Sequence, residues 1–322
     1  MQNSMSGKAL FSSLYRIVTF RESLSRYDAK VEYGSMIEVG ENTETIPEPE
    51  WEHLLGELIR YRGVALIMGK TDSGKSTIAR YLIKRLIRKG ITASLVDCDI
   101  GQSSLGLPGA ISMKVFREER DSQTFRVERM SFPGIANPAM VIPMRIKTSG
   151  RMVDLCKKTS EITLVDTTGL VSGRLGKTLE TGKMKQISPD HIIAICRGQE
   201  LEHIIESASE VNIYRIKRPS NVKVRSRAAR IRYRRGKLQY YFKQAPLYGF
   251  AVNDDNARFF YRARPFRPED YVPKGTIIGL NRYNDTIGLG IVLLHSAGSI
   301  TFKPPVTSTK RINKVILDSI TL

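Results

Sequence analysis

Cysteine is scarce in this chain of 322 residues: Cys98, Cys156 and Cys196 are the whole complement, and no two form a C-x-x-C pair or a zinc-ligand spacing. That argues against a disulfide framework and against a structural zinc site. Histidine is equally thin, and His53, His191, His203 and His295 are scattered without a triad or metal arrangement; we read them as structural. There is one tryptophan, Trp51. No apolar run reaches the roughly 18 residues that a membrane helix requires, and the opening MQNSMSGKALFSSLYRIVTF lacks an apolar core followed by a small-residue cleavage site. Neither export nor membrane insertion is expected, and a soluble protein in a reducing interior such as the cytoplasm fits best. Acid is in deficit: 32 Asp and Glu face 51 Lys and Arg, a formal charge of +19. Such an excess makes polyanions the natural partners.

What is present is enough for a large core, with 41% of residues hydrophobic. Residues 1–46 mix short strand-like stretches (13–20 and 30–39) with polar breaks and read as a small N-terminal β module. Residues 47–245 read as one α/β domain. A helix-like segment over 51–60 leads into VALIM (64–68), a helix over 76–89, ASLVD (93–97), ITLVD (162–166), HIIAI (191–195) and VNIYRI (211–216). Alternating apolar runs and amphipathic segments predict a mainly parallel sheet flanked by helices. Residues 246–322 lose the helical pattern, and GTIIGLN, TIGLGIVLL, SITFKPP and KVILDSITL predict a C-terminal β domain.

One motif is specific. Gly69, Lys70, Thr71, Asp72, Ser73, Gly74, Lys75 and Ser76, followed by Thr77, satisfy G-x-x-x-x-G-K-[ST] between a strand and a helix. Backbone N–H groups and the helix N-terminus favour a phosphate chain, Lys75 would reach its β and γ oxygens, and Ser76 would ligate magnesium. ATP, or less readily GTP, is the expected ligand; no N-K-x-D guanine signature follows HIIAICRGQE.

Two strands end in aspartate: ASLVD at Asp97, continuing to Asp99 and Gln102, and ITLVD at Asp166, continuing to Thr167 and Gly169. At the carboxyl ends of parallel strands these groups converge on the nucleotide. Either Asp99 or Asp166 could orient a hydroxyl or organise the metal, and either could instead cap a helix or order a loop. Asp97 reads as the buried end of its strand. From Arg215 to Lys237, eleven of 23 residues are Lys or Arg and none is acidic, so the excess charge gathers in one segment. Tyr233, Tyr240, Tyr241 and Phe242 are interleaved with it as candidates for base stacking, although Tyr241 and Phe242 fit a core better.

These motifs resemble the polynucleotide 5′-hydroxyl kinases, which include the RNA kinase subunit of eukaryotic pre-mRNA cleavage factor and its archaeal relatives. The likeness rests on G-x-x-D-S-G-K-S-T (69–77), D-x-D-x-G-Q (97–102) with L-P-G (107–109), F-x-G-x-x-x-P (132–138), D-T-x-G (166–169) and an R-x-x-x-R lid. It implies a three-part layout, ATP and Mg2+ as cofactors, and transfer of the γ-phosphate to the 5′-hydroxyl of single-stranded or end-exposed RNA, or also DNA. It further implies that Asp99 positions or deprotonates that hydroxyl, Gln102 contacts the terminal nucleotide, Ser76 with Thr167 and Asp166 serves the metal, and Arg230 and Arg234 clamp the phosphates from a lid near 227–242. RNA-processing proteins are the implied partners. One departure is plain: Leu170 stands where the family commonly has Trp after D-T-x-G, so a base clasp built on Trp is absent. The alternative is a non-catalytic ATP-binding scaffold of an RNA-processing complex.

Overall fold

The computed structural model describes residues 48–122, 127–134, 138–219, 222, 224–243, 250–253, 257–261, 264–267, 271–296, 299–303 and 312–321. The strand-like stretches expected within 1–46 lie outside the described residues.

Helix α1 (Pro49–Tyr61) starts on a proline, whose fixed φ suits a first helical turn. It buries Trp51, Leu54, Leu55 and Leu58, so the single tryptophan is a core residue, with its ring 5.2 Å from that of Tyr81. Strand β1 (Gly63–Gly69) follows, then α2 (Lys75–Arg88), β2 (Ala93–Asp97), β3 (Ile111–Phe116), β4 (Arg129–Ser131), α3 (Pro138–Lys157) and β5 (Ile162–Asp166). After these come α4 (Gly173–Ile187), β6 (His191–Cys196), the short α5 (Glu202–Ile205), β7 (Asn212–Lys217) and α6 (Arg227–Lys243). The first sheet has the order β4-β3-β2-β5-β1-β6-β7. Its five strands from β2 to β7 are parallel, while β3 and β4 join antiparallel at one edge. Each of β2, β5 and β1 is nearly or wholly buried, as expected for strands covered by helices on both faces.

A second seven-stranded sheet contains β8 (Phe250–Asn253), β9 (Arg258–Tyr261), β10 (Arg264–Phe266), β11 (Thr276–Arg282), β12 (Asp285–Ser296), β13 (Ser299–Lys303) and β14 (Lys314–Thr321). Their order is β10-β9-β14-β11-β12-β13-β8. Among the described residues several contacts fasten this β domain to the α/β unit. The Phe132 ring lies over Gly279, where a Cβ would come within 2.7 Å of it. The Phe132 N–H donates to Thr286 Oγ1 at 2.8 Å. Asp285 accepts from Arg129 and Arg151 at 2.5 and 2.7 Å.

Candidate active site

The register of the parallel strands assembles the site. Asp97 at the end of β2 pairs with Asp166 at the end of β5, and Asp166 pairs with Ile67 in β1, two residues before the phosphate loop begins. Gly69 to Ser76 therefore opens beside both carboxylates. Within the loop Gly74 takes φ +97° and Asp72 φ +55°; glycine adopts that conformation without strain, whereas a side chain at Gly74 would be costly. Gly169 of D-T-T-G sits directly on the loop, where a Cβ would stand 2.2 Å from Thr71 Oγ1 and 2.4 Å from the Thr71 nitrogen. Only glycine permits that approach.

Lys75 is buried, and its ammonium donates to the carbonyls of Gly69 at 2.9 Å and Lys70 at 2.8 Å. Desolvation lowers its pKa from the ordinary lysine value, opposed first by Asp166 and then by Asp99, Glu180 and Asp72. Ser76 donates its hydroxyl to Asp166 Oδ2 at 2.6 Å, while Asp166 Oδ1 is buried with no partner among the described residues. Burial, then the neighbouring Asp97 carboxylate, pushes Asp166 up to about 7. That combination is a good fit for a divalent cation: a serine hydroxyl, a carboxylate with an idle oxygen, and a site that disfavours uncompensated negative charge. Thr167 is fully buried and gives its hydroxyl proton to the Ile67 carbonyl at 2.8 Å. In this arrangement it braces β5 against β1, beside the Ser76–Asp166 pair.

The two aspartates of D-x-D-x-G-Q do different work. Asp97 Oδ2 accepts from the N–H groups of Ser104 and Leu105 at 2.6 and 2.9 Å and from the hydroxyl of Ser103 at 3.0 Å, and Oδ1 accepts from the Asp99 N–H. It is the buried strand end that ties the following loop together. Among the described residues Asp99 is bonded through Oδ1 alone, which accepts from the N–H groups of Gly101 and Gln102 at 3.0 and 3.1 Å. Gln102 folds its amide onto the Gly101 carbonyl at 2.9 Å, and its Oε1 has no partner among the described residues.

Helix α6, which carries six of the eleven basic residues of the run, crosses both loops. Arg230 pairs with Asp72 of the phosphate loop at 2.7 Å, and the Arg225 N–H donates to the same Asp72 oxygen at 3.0 Å. One turn on, Tyr233 donates to the Ser103 carbonyl at 3.1 Å, and the Lys237 ammonium reaches that carbonyl at 2.7 Å. Arg225 and Lys237 also lie 5.4 and 5.1 Å from the Tyr233 ring centroid. Tyr233 is thus engaged with cations and loop backbone in this arrangement. Arg234, half-buried, stands one helical turn beyond Arg230. Phe242 is core, and Tyr241 packs against the core while accepting the Leu289 N–H at 2.9 Å. His191 and His203 each bond a backbone carbonyl, of Arg62 and Val171. A surface hollow of about 510 Å³ lined by Gly198, Gln199, Glu202, Glu206 and Arg215 contains none of the phosphate-loop residues.

The sequence reading missed Arg145, Glu180 and Lys183, all buried. Their signal was available: Glu180 and Lys183 interrupt the apolar stripe of Leu179, Met184 and Ile187 on α4.

A P-loop between a buried parallel strand and a helix, with acidic strand tips beside it, defines a phosphate-loop nucleotide-binding protein. Residues 69–244 match the family model described as mRNA cleavage and polyadenylation factor CLP1 P-loop, more than half of the chain, and the chain belongs to that family. It is 31% identical over 224 residues to a polyribonucleotide 5′-hydroxyl-kinase of Methanocaldococcus jannaschii, covering 68% of this chain and 62% of that protein. It is likewise 31% identical over 214 residues to one of Pyrococcus horikoshii, covering 64% and 58%. A CLP1 homologue of Nematostella vectensis is 24% identical over 233 residues, covering 67% and 54%. The match thus spans about three fifths of the length of its kinase-named relatives. A solved Clp1p–Pcf11p complex shares the fold, with a TM-score of 0.67 at 15% identity over 84% of this chain and 78% of that one.

Proposed function

We propose that the chain transfers the γ-phosphoryl group of ATP to the 5′-hydroxyl end of RNA, or also of DNA, in a magnesium-dependent reaction inside the cell. The observation that carries the reading is Lys75: its buried ammonium bridges the carbonyls of the phosphate loop while Asp166 and Asp99 are the first two carboxylates acting on it. A donor phosphate held by the loop and an acceptor hydroxyl held by Asp99 would therefore meet at one place.

On this reading the triphosphate replaces the Gly69 and Lys70 carbonyls as the partner of Lys75, within the cradle of Gly69 to Thr77. Ser76 and Asp166 would hold Mg2+, which supplies charge neutralisation across the phosphate oxygens. Asp99 has Oδ1 fixed by two backbone donors, which leaves Oδ2 to orient the 5′-hydroxyl and take its proton. Gln102, with an unengaged Oε1, faces the terminal nucleotide. Arg230 exchanges Asp72 for the transferring group and Arg234 assists from the same helical face, stabilising charge that spreads over the γ oxygens. The same reading takes 47–245 as the phosphotransfer unit and 1–46 and 246–322 as flanking modules, and gives the chain protein partners in RNA processing, by analogy with the Clp1p–Pcf11p complex.

The test is transfer of labelled γ-phosphate from ATP to matched 5′-hydroxyl RNA and DNA oligonucleotides, with Lys75→Ala and Asp99→Asn as controls. Transfer that both substitutions abolish supports the reading; no transfer by the wild type removes it. One observation favours a second reading, a nucleotide-binding scaffold: Asp72 already occupies the guanidinium of Arg230. That reading requires ATP and RNA binding without turnover, and loss of partner assembly in Lys75→Ala.

A further inference from the structure

The loop from Gly101 to Gly109 is gripped from two sides. On one side Tyr233 and Lys237 of α6 donate to the Ser103 carbonyl, and Lys237 also reaches that of Gly106 at 3.4 Å. On the other, the Arg80 guanidinium of α2 donates to the Ser104 carbonyl at 3.3 Å. Ser103 and Ser104 directly follow Gln102, the residue read above as facing the terminal nucleotide. The way out of the acceptor site past Ser104 therefore has cations on both rims.

What lies beyond that rim is set by α2. The helix buries Ile78, Ala79, Leu82, Ile83, Leu86 and Ile87, and Arg80, Lys84 and Arg88 stand exposed at four-residue steps. Residues four apart share one face of a helix, so the three form one stripe, each step about 6 Å along the axis and the whole about 12 Å. That step is close to the separation of neighbouring phosphates in an extended single strand, and a positively charged groove of this kind follows a nucleic-acid backbone without reading its bases.

The remaining arginine of α2 is employed differently: Arg85 is turned toward α1 and paired with Glu52 at 3.0 Å. Along the stripe, Lys84 has no ion pair among the described residues, and Arg88 meets Glu119 at 2.8 Å, where the stripe ends. Like charges four apart weaken a helix, and a bound polyanion would relieve that repulsion. The stripe thus starts at a hydrogen bond to the acceptor loop, runs away from the site, and closes on a carboxylate.

We propose that this stripe is a track for the body of the acceptor: beyond the 5′-terminal nucleotide, the next phosphates of a single-stranded polynucleotide run along Arg80, Lys84 and Arg88. The proposal rests on the phosphotransfer reading for the position of the 5′ end and deepens it. The plainer alternative is that the three side chains only keep the outer face of α2 in water.

The experiment measures binding of 5′-hydroxyl RNA of two and of eight nucleotides at several salt concentrations, with kcat and KM for transfer to each, in the full chain and in its Lys84→Gln/Arg88→Gln and Glu119→Gln variants. Arg80 is left in place because it touches the acceptor loop itself. The wild type should bind the longer RNA about 10-fold or more tightly than the shorter. In Lys84→Gln/Arg88→Gln most of that gain should vanish, and the slope of log affinity against log salt for the longer RNA should flatten by about 1.4, two contacts at about 0.7 each. Binding of the two-nucleotide RNA, ATP affinity and kcat should stay within a few-fold. Glu119→Gln breaks the same ion pair but frees Arg88, so it should tighten the longer RNA where the double variant loosens it. An unchanged length gain and salt slope in Lys84→Gln/Arg88→Gln overturns the proposal and gives the stripe to solvent or to an acidic protein. Equal losses in that variant and in Glu119→Gln also overturn it, since the Arg88–Glu119 pair would then be structural. If the wild type transfers no phosphate, the phosphotransfer reading fails while the binding comparison still decides the track; an active wild type indifferent to RNA length sinks the track alone.

Discussion

Asp72 in the phosphate loop holds Arg230 of α6 at 2.7 Å, with Asp72 itself strained at φ +55°. The proposed lid arginine and the proposed nucleotide cradle are therefore already joined, by a pair that a triphosphate must break. Asp72→Asn removes both the competing partner and a negative charge beside the phosphates, so ATP affinity should rise a few-fold and amide exchange over 224–230 should quicken. Arg230→Ala should leave ATP affinity within a few-fold but lower kcat by about 10³-fold or more, the range of a transition-state arginine. Nucleotide titration with exchange mass spectrometry and steady-state kinetics checks the pair; equal losses of affinity and rate in Arg230→Ala would place that residue in ground-state binding instead.

Asp99 and Asp166 separate by what holds them. In Asp99→Asn the side-chain oxygen still accepts from Gly101 and Gln102, so the loop and nucleotide affinity should be retained while turnover drops about 10²- to 10⁴-fold, the usual worth of a general base. Asp166→Asn should instead weaken the dependence on magnesium, because it dulls the partner of Ser76. Measuring rate against magnesium concentration for both variants decides the matter: a changed magnesium midpoint in Asp99→Asn and none in Asp166→Asn would reverse the two roles.

Much of this arrangement was legible in the sequence because local pattern and global position agree. Apolar runs ending in Asp97 and Asp166 became adjacent parallel strands, and the second half of the basic run, from Arg227, became part of helix α6. Strand β4 went unread because Arg129–Ser131 is only three residues long, whereas β3 carried a period-two signal, Ile111, Met113 and Val115 alternating with Ser112 and Lys114, that the sequence reading passed over. Helix α3 was hidden by Pro143 and Gly150 inside it, and Gly150 is there because Gln186 of α4 fills the space a side chain would need. The pairing of Asp72 with Arg230 spans 158 residues; only the tertiary fold brings them together.

Acid–base behaviour gives an independent check on Asp166. Its pKa is raised from 3.8 to about 7 by burial and by Asp97. Across that interval the folded protein binds a proton that the unfolded chain has released, so this group's contribution is full below the lower value and lost as pH rises through the upper one. Without nucleotide or magnesium, Asp166→Asn should match the wild type near pH 4 and exceed it in thermal midpoint by a few degrees at pH 8. Calorimetry across that range tests it; a difference between the two proteins that does not vary with pH would mean Asp166 is charged throughout.

The outer face of α6 bears on how a polynucleotide is held. Arg232 and Arg235 are exposed, whereas Lys237 and Tyr233 are spent on the Ser103 carbonyl. Those two groups of residues should respond differently. Arg232→Gln with Arg235→Gln should weaken RNA binding uniformly across sequences and flatten its salt dependence, since each lost contact to a single-strand phosphate removes about 0.7 from the slope of log affinity against log salt. Tyr233→Phe with Lys237→Met removes two loop contacts worth roughly 0.5–1.5 kcal/mol each; it should raise KM for RNA several-fold while reducing that slope by less. Binding isotherms at several salt concentrations distinguish them, and identical slopes for wild type and Arg232→Gln/Arg235→Gln would show that the backbone of the nucleic acid passes elsewhere.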